Sequence, residues 1–444
     1  ATGKVSSSNE IRSGTTNFAT LGADHNLGWG IAPAGDFDND GVEDVFIGAP
    51  GNDDGGTDRG AVYLTYLNTS GTVKGYTKIA NGANLTLANT DRFGVDIDTI
   101  GDLDNNGVVD IVVGAYQNDD GGTNRGAAYV VFLKSDGTVK KSQRISNTQG
   151  NFGETFGGTD LFGIGVAGIG DFDGDGKEDI AVGSNMNSTG AVHIITLDTS
   201  GNCVTFKKIN NSGSNFPYTL TNGKSFGFTV EMIPDIDGNG INDLVIGQGL
   251  AEMFGIARGR FWITMLDSAG NVLEARELSD SCGLFYSNTN DQYTFGQCFE
   301  YMGLDAFGNI RVAFGGRDDY QGTDRGSVFT AKLYSFKSKH MPANVKERVV
   351  LKRELDAGYY YANQTYLAFE FDEEYHDSDS KLNYSVYDKN RNVVLTSANV
   401  SDPVIVNRIG DNRRILPLTG LPTGFYTFEV KNQNNEVFKL RFRK

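Results

Sequence analysis

Asp36-Phe37-Asp38-Asn39-Asp40-Gly41-Val42-Glu43-Asp44 runs straight into Val45-Phe46-Ile47-Gly48, and that junction is repeated along the chain. Asp102-Leu-Asp104-Asn-Asn106-Gly107-Val108-Val-Asp110 precedes Ile-Val-Val-Gly114. Asp171-Phe-Asp173-Gly-Asp175-Gly176-Lys177-Glu-Asp179 precedes Ile-Ala-Val-Gly183, and Asp235-Ile-Asp237-Gly-Asn239-Gly240-Ile241-Asn-Asp243 precedes Leu-Val-Ile-Gly247. The copies begin 66, 69 and 64 residues apart. A tight acidic turn feeding a short apolar run, recurring at this period, indicates a repeat unit built from β-strands.

Side-chain oxygens stand at positions 1, 3, 5 and 9 of each copy, with Gly at 6 and a free carbonyl at 7. The Gly permits the sharp bend that turns the oxygens inward. Such a set suits a hard cation, and six or seven oxygens suit Ca²⁺ better than Mg²⁺, which keeps a tight octahedron and several waters. The expected ligands are Asp36, Asp38, Asp40, the Val42 carbonyl and Asp44; Asp102, Asp104, Asn106, the Val108 carbonyl and Asp110; Asp171, Asp173, Asp175, the Lys177 carbonyl and Asp179; and Asp235, Asp237, Asn239, the Ile241 carbonyl and Asp243. The spacing is not that of an EF-hand, which closes with Glu at position 12 between helices. The plainer reading is a metal-free acidic turn, since Asp, Asn and Gly are common turn formers. Electrostatics oppose it, because two carboxylates ~5 Å apart at an effective dielectric of ~20 repel by about 3 kcal/mol.

A fifth copy, Leu304-Asp305-Ala-Phe-Gly308-Asn-Ile-Arg311-Val-Ala-Phe-Gly315, has lost most of its oxygens. It is expected to hold no ion, with the Arg311 guanidinium pairing with Asp305 in its place. Four Ca²⁺ sites and one degenerate copy are therefore anticipated.

An aromatic-Gly pair leads each copy: Trp29-Gly30, Phe93-Gly94, Phe162-Gly163, Phe226-Gly227 and Phe295-Gly296. A Gly-small segment trails it, as in Gly48-Ala49-Pro50 and Gly114-Ala115-Tyr116. With these motifs residues 1–340 resemble the FG-GAP repeat family, the units of integrin α-subunit β-propellers. Each unit reads as four short strands; in the second they are placed near 93–101, 109–115, 126–133 and 139–145. Residues 3–11 align without gaps on 137–145, the fourth strand of that unit, whereas the fifth unit stops after its third strand at 327–335. The N-terminus is thus expected to complete the last blade and remove an open edge. Five blades are favoured, although the resembled family more often has seven.

Composition changes near residue 340. Residues 341–444 hold 4 of the 58 glycines and a net charge of +1, against −18 for residues 1–340. So acidic a domain argues against nucleic acid as partner. Alternating runs in residues 341–444 indicate about seven strands and a β-sandwich of immunoglobulin type. Within it, Leu421-Pro-Thr-Gly424-Phe-Tyr426 and the basic end Lys439-Leu-Arg441-Phe-Arg-Lys444 resemble the C-terminal sorting domain of type IX secretion substrates of the Bacteroidetes. That resemblance implies an export signal read by the outer-membrane translocon and its shuttle receptor. It also implies a propeller displayed at the cell surface or released. The usual Pro-Asn-Pro entry is missing, and an ordinary accessory module is the alternative. No apolar run of 18 residues exists, so no transmembrane helix is expected. The start, Ala1-Thr-Gly-Lys4, lacks an apolar leader and reads as a processed N-terminus. Cys282 and Cys298 could pair, with Cys203 left as a small core residue.

Loops expected on the face opposite the acidic turns repeat a second motif: Asp53-Asp54-Gly-Gly-Thr-Asp-Arg59, Asp119-Asp120-Gly-Gly-Thr-Asn-Arg125 and Asp318-Asp319-Tyr320-Gln-Gly-Thr-Asp-Arg325. These are ligand-face candidates; the competing reading is that each Arg pairs with the nearby Asp residues and staples its loop. The corresponding loop of the fourth unit, 250–256, is apolar, which marks either a partner site or packing. Four His, at 25, 193, 340 and 376, lack metal-ligand spacing, and no nucleophile elbow or phosphate loop stands out. The expectation is a non-catalytic, Ca²⁺-stabilised surface propeller binding a protein or glycan in adhesion or gliding. A secreted carbohydrate-active enzyme or lectin is the alternative.

Overall fold

The computed structural model describes residues 8–185, 189–211, 216–220, 225–249, 252–253, 256–257, 259–278, 296–304, 310–316 and 327–333 of the N-terminal part. Beyond these it describes 366–370, 383–388, 392–396, 404–405, 413–417, 422, 425–431 and 437–443. The chain separates into two units, residues 1–280 with 291–340, and residues 281–290 with 341–444.

In the first unit each repeat folds into one antiparallel meander. The first contains β1 (Ile31–Gly35), β2 (Asp44–Ala49), β3 (Ala61–Leu67) and β4 (Val73–Ala80). The second contains β5 (Ile97–Thr99), β6 (Ile111–Ala115), β7 (Ala127–Leu133) and β8 (Val139–Ser146). The third contains β9 (Val166–Gly170), β10 (Asp179–Ser184), β11 (Ala191–Leu197) and β12 (Cys203–Ile209). In the fourth, β13 (Phe226–Ile233) and β14 (Asp243–Gln248) are followed by a small hairpin, β15 (Glu252–Met253) with β16 (Ile256–Ala257), and then by β17 (Arg260–Leu266) and β18 (Val272–Leu278). The apolar loop of the fourth repeat is where this hairpin forms. The fifth sheet has β19 (Phe299–Leu304), β20 (Ile310–Gly316) and β21 (Ser327–Leu333) among the described residues.

Burial explains the strand compositions. The second and third strands of a sheet are covered on both faces, so β6, β7 and β11 are buried throughout and read as unbroken apolar runs. Fourth strands form the outer edge and are mostly exposed or half-buried between buried residues near their ends, as in β4 and β12. In the second repeat the last two strands fall within one residue of their expected limits. The first is shorter, because Phe93-Gly94 is used in a contact between sheets.

That contact is made by glycines. Gly60 bridges Phe93 of the next repeat, Gly126 bridges Phe162 and Gly190 bridges Phe226, and the three Phe side chains are fully buried. A Cβ on Gly48 would lie 2.0 Å from the Gly94 carbonyl oxygen, one on Gly114 2.0 Å from that of Gly163, and one on Gly183 1.9 Å from that of Gly227. Backbone meets backbone there, so no larger residue fits. Trp29, the counterpart of those Phe residues in the first repeat, is 59% exposed.

The second unit contains two antiparallel sheets. One is ordered β22 (Tyr366–Glu370), β26 (Arg413–Pro417), β25 (Val404–Ile405). The other is ordered β24 (Val393–Thr396), β23 (Asn383–Asp388), β27 (Phe425–Lys431), β28 (Val437–Arg443). Lys439 and Arg441 lie on β28, opposite Glu429 and Thr427 of β27. Residues 3–7 of the expected closing strand, Asp305, Cys282, Asp318, Asp319, Tyr320, Arg325, Leu421, Gly424 and Lys444 fall outside the described residues.

Candidate metal centres

Each acidic loop joins the first and second strands of its sheet, and the four share one hydrogen-bond plan. Positions 4 and 6 both take the left-handed conformation: Asn39 and Gly41 at φ 60° and 86°, Asn105 and Gly107 at 56° and 83°. Gly174 with Gly176, and Gly238 with Gly240, repeat it. Only Gly or Asn adopts that region at small cost, which accounts for the residue choice at both positions. The position-1 carboxylate then faces the bend. Asp36 accepts from the Asp40 and Gly41 amides at 2.8 and 2.9 Å, and Asp102 from those of Asn106 and Gly107 at 2.8 and 2.7 Å.

Position 9 has a role that the spacing did not reveal. Asp110 accepts from the Leu103 amide of its own loop at 3.1 Å and from the Leu133 amide, at the end of the third strand, at 3.0 Å. Asp44 does the same with Phe37 and Leu67, Asp179 with Phe172 and Leu197, and Asp243 with Ile236 and Leu266. One buried carboxylate thus ties the loop to the far side of its sheet. Where position 5 is Asn, its amide reinforces the tie: Asn106 Nδ2 donates to the Leu133 carbonyl at 3.0 Å, and Asn239 Nδ2 to that of Leu266 at 2.7 Å.

Carboxylate oxygens converge to within 4.8 Å of one another in four groups: Asp36, Asp38 and Asp40; Asp102, Asp104 and Asp110; Asp171, Asp173 and Asp179; Asp235, Asp237 and Asp243. Asp40 and Asp175 are drawn to lysines, Asp40 to Lys74 and Asp175 to Lys177, while Lys74 also holds Asp38 at 2.6 Å and Lys140 holds Asp104 at 2.8 Å. The position-7 residues Val42, Val108, Lys177 and Ile241 each donate their amide to the position-5 side chain. Burial, with a further push from nearby carboxylates, raises Asp110 to about 6 and Asp179 and Asp243 to about 7. Asp44 shifts the same way. A hard divalent cation among these oxygens would reverse that effect, so the donor sets fit one.

The second loop motif is held differently from the staple expected. Asp53 and Asp119 cap their own loops by accepting the Asp58 and Asn124 amides, each at 2.8 Å. Asp54 pairs with Lys78, and Asp120 accepts from Ser146 and Thr148 with Arg144 at 3.6 Å. Arg59 Nε donates to Asn89 Oδ1 at 3.0 Å rather than to an Asp of its loop. Asp58 instead pairs with Arg92 of the next repeat at 2.9 Å. The outer strand and the following repeat supply the counter-charges, and neither is visible in the loop sequence. Arg311 donates to the Met302 carbonyl at 2.9 Å.

Four more acids went unnoticed in the sequence. Asp96 accepts from the Val166 amide and Asp98 from the Gly168 amide, both at 2.9 Å, across the junction between the second and third sheets. Glu231 similarly accepts from the Tyr301 backbone, and Glu300 lies beside these groups. The signal available was Val95-Asp96-Ile97-Asp98, two acids alternating with apolar residues on an inner strand.

The FG-GAP repeat model matches residues 27–65 and 162–195. The chain is 32% identical to integrin alpha-4 of Xenopus laevis over 158 residues, 35% of this chain and 14% of that protein. It is 27% identical to integrin alpha-6 of Homo sapiens over 267 residues, 59% of this chain and 21% of that protein. Less than a quarter of either relative is therefore spanned. A solved exotype rhamnogalacturonan lyase overlaps with a TM-score of 0.35 at 14% identity, covering 69% of this chain and 56% of that one, too loose a likeness to bear on function. The repeat match, the integrin relatives and the repeated four-stranded sheets support an FG-GAP β-propeller. Among the described residues no helix is long and apolar enough to cross a membrane.

Proposed function

We propose that the N-terminal unit is a Ca²⁺-stabilised recognition propeller of the cell surface or extracellular space, non-catalytic, binding a protein or glycan. The four convergent carboxylate groups with one shared bonding plan carry this reading. Asp36, Asp38 and Asp40 would hold the first ion, and Asp102, Asp104 and Asp110, Asp171, Asp173 and Asp179, and Asp235, Asp237 and Asp243 the others. The integrin relatives support the location and the recognition role. Five blades fit best: Glu300 of the fifth sheet lies near enough to Asp96 and Asp98 of the second to act on their charge, as a narrow wheel requires.

The C-terminal unit we take as a β-sandwich that serves as a type IX export signal, engaging the outer-membrane translocon and its shuttle receptor. Tyr426 supports the sandwich: it is buried, and its hydroxyl donates to the Pro422 carbonyl at 2.6 Å, the bond of a tyrosine corner.

Calorimetric titration of chelator-stripped protein with Ca²⁺ tests the central claim. Four ions should bind, and Asp243→Asn should remove one. No heat of binding, or five equivalent sites, would refute it. Hydrolysis of any glycan on an array would move the assignment to a carbohydrate-active enzyme.

A further inference from the structure

Asp96 precedes β5 and Asp98 lies in its middle, Glu231 lies in β13 and Glu300 follows the start of β19, so three sheets send acids toward one another. Asp96, Asp98 and Glu231 are half-buried and Glu300 is exposed. Three of the four serve as acceptors for backbone amides of the next sheet, at Val166, Gly168 and Tyr301. Inner strands have an unpaired edge, and these carboxylates are what satisfies it.

Their charged surroundings are of one sign. Asp98 and Glu300 act on Asp96, Glu300 acts on Asp98, and all three act on Glu231. Among the described residues, the strands packed most closely against β5 are β1, β2, β6 and β9, of which β2 carries an ionisable side chain, Asp44. Around β13 the neighbours add Asp179, Asp243 and the neutral His193. Beside β19, Arg311 is engaged by the Met302 carbonyl.

We propose that this inner acid cluster is a pH-sensitive clasp between sheets, firm when its members share protons and loosened when all four are ionised. A carboxyl that keeps its proton still accepts the neighbouring amide through its carbonyl oxygen, and it no longer repels the acids facing it. Burial, first, and the neighbouring carboxylates push Asp96 and Asp98 up to about 7, and Glu231 is raised too. Folded values above the unfolded ones place the stabilisation at low pH and its loss as pH rises through about 7. The clasp does not depend on what the propeller binds.

The test is thermal unfolding of the full chain from pH 5.5 to 9 in saturating Ca²⁺, which keeps the loop carboxylates ionised throughout. Wild-type Tm should fall by about 3 °C or more between pH 6 and 8.5. Asp98→Asn with Glu231→Gln should flatten that slope and raise Tm at pH 8.5. Glu300→Gln, at an exposed position and so tolerant of change, removes a charge that pushes its neighbours up and should shift the midpoint of the fall to lower pH by itself. A full wild-type slope in the variants, or a wild-type Tm that does not fall in this window, would overturn the proposal. Should the double variant not fold, the Glu300→Gln midpoint decides alone.

Discussion

Two kinds of glycine recur in this chain, and they fail for different reasons. Gly107 needs its left-handed φ of 83° but has open space around it. Gly114 has no such φ, yet its Cβ would strike the Gly163 carbonyl at 2.0 Å. Replacing Gly107 with Ala should cost about 1–2 kcal/mol, the strain of an L residue in that region. Replacing Gly114 with Ala should cost about 3 kcal/mol, because two backbones must separate. Urea denaturation of both variants checks the order, and equal costs would contradict the packing described. The glycine positions could be read from the repeat, but which of the two demands each one met could not. One is local to the loop, the other belongs to the neighbouring sheet.

At the scale of one sheet, the third repeat departs from its siblings. Tyr63 and Tyr129 occupy the middle of β3 and β7, and both hydroxyls have hydrogen-bond partners. His193 holds the equivalent place on β11, fully buried among Phe152, Phe156, Phe162 and Phe206, with neither ring nitrogen bonded to a side chain among the described residues. Burial lowers it to about 3. The folded value is below the unfolded 6.5, so stability is lost as pH falls from about 6.5 toward 3. At pH 5 the loss is about 2 kcal/mol. His193→Phe should remove this component, so the gap in stability between variant and wild type should widen by that amount from pH 7 to pH 5. A gap that stays constant would show that the imidazole is protonated in the fold. The sequence offered His193 only as a histidine without ligand spacing; its aromatic surroundings come from residues as distant as Phe152 and Phe206.

Over the whole molecule, the convergent carboxylate groups found among the described residues all lie in the first unit. Ca²⁺ binding stabilises whatever binds it in the folded state, by roughly 2.7 kcal/mol per site at a hundredfold excess over Kd. Calorimetric scans should therefore show two transitions, one rising with Ca²⁺ and one indifferent to it. A single transition moving as a whole would mean that the two units unfold together. The net charge points the same way, since residues 1–340 carry −18 and residues 341–444 carry +1.

Sequence alone determined the acidic loops, the repeat period, the β-blades and the change of composition near residue 340. The loops and strands are specified within about a dozen contiguous residues, by turn chemistry and by the alternation of side chains, and the period and the composition change follow from counting along the chain. Tertiary structure alone decided what Asp110 and its equivalents bind, which cations answer Asp54, Asp58 and Asp120, and where Asp96, Asp98 and Glu231 find their amides. Those partners lie on another strand or another sheet. Their identity depends on how strands are placed side by side, which no local pattern encodes.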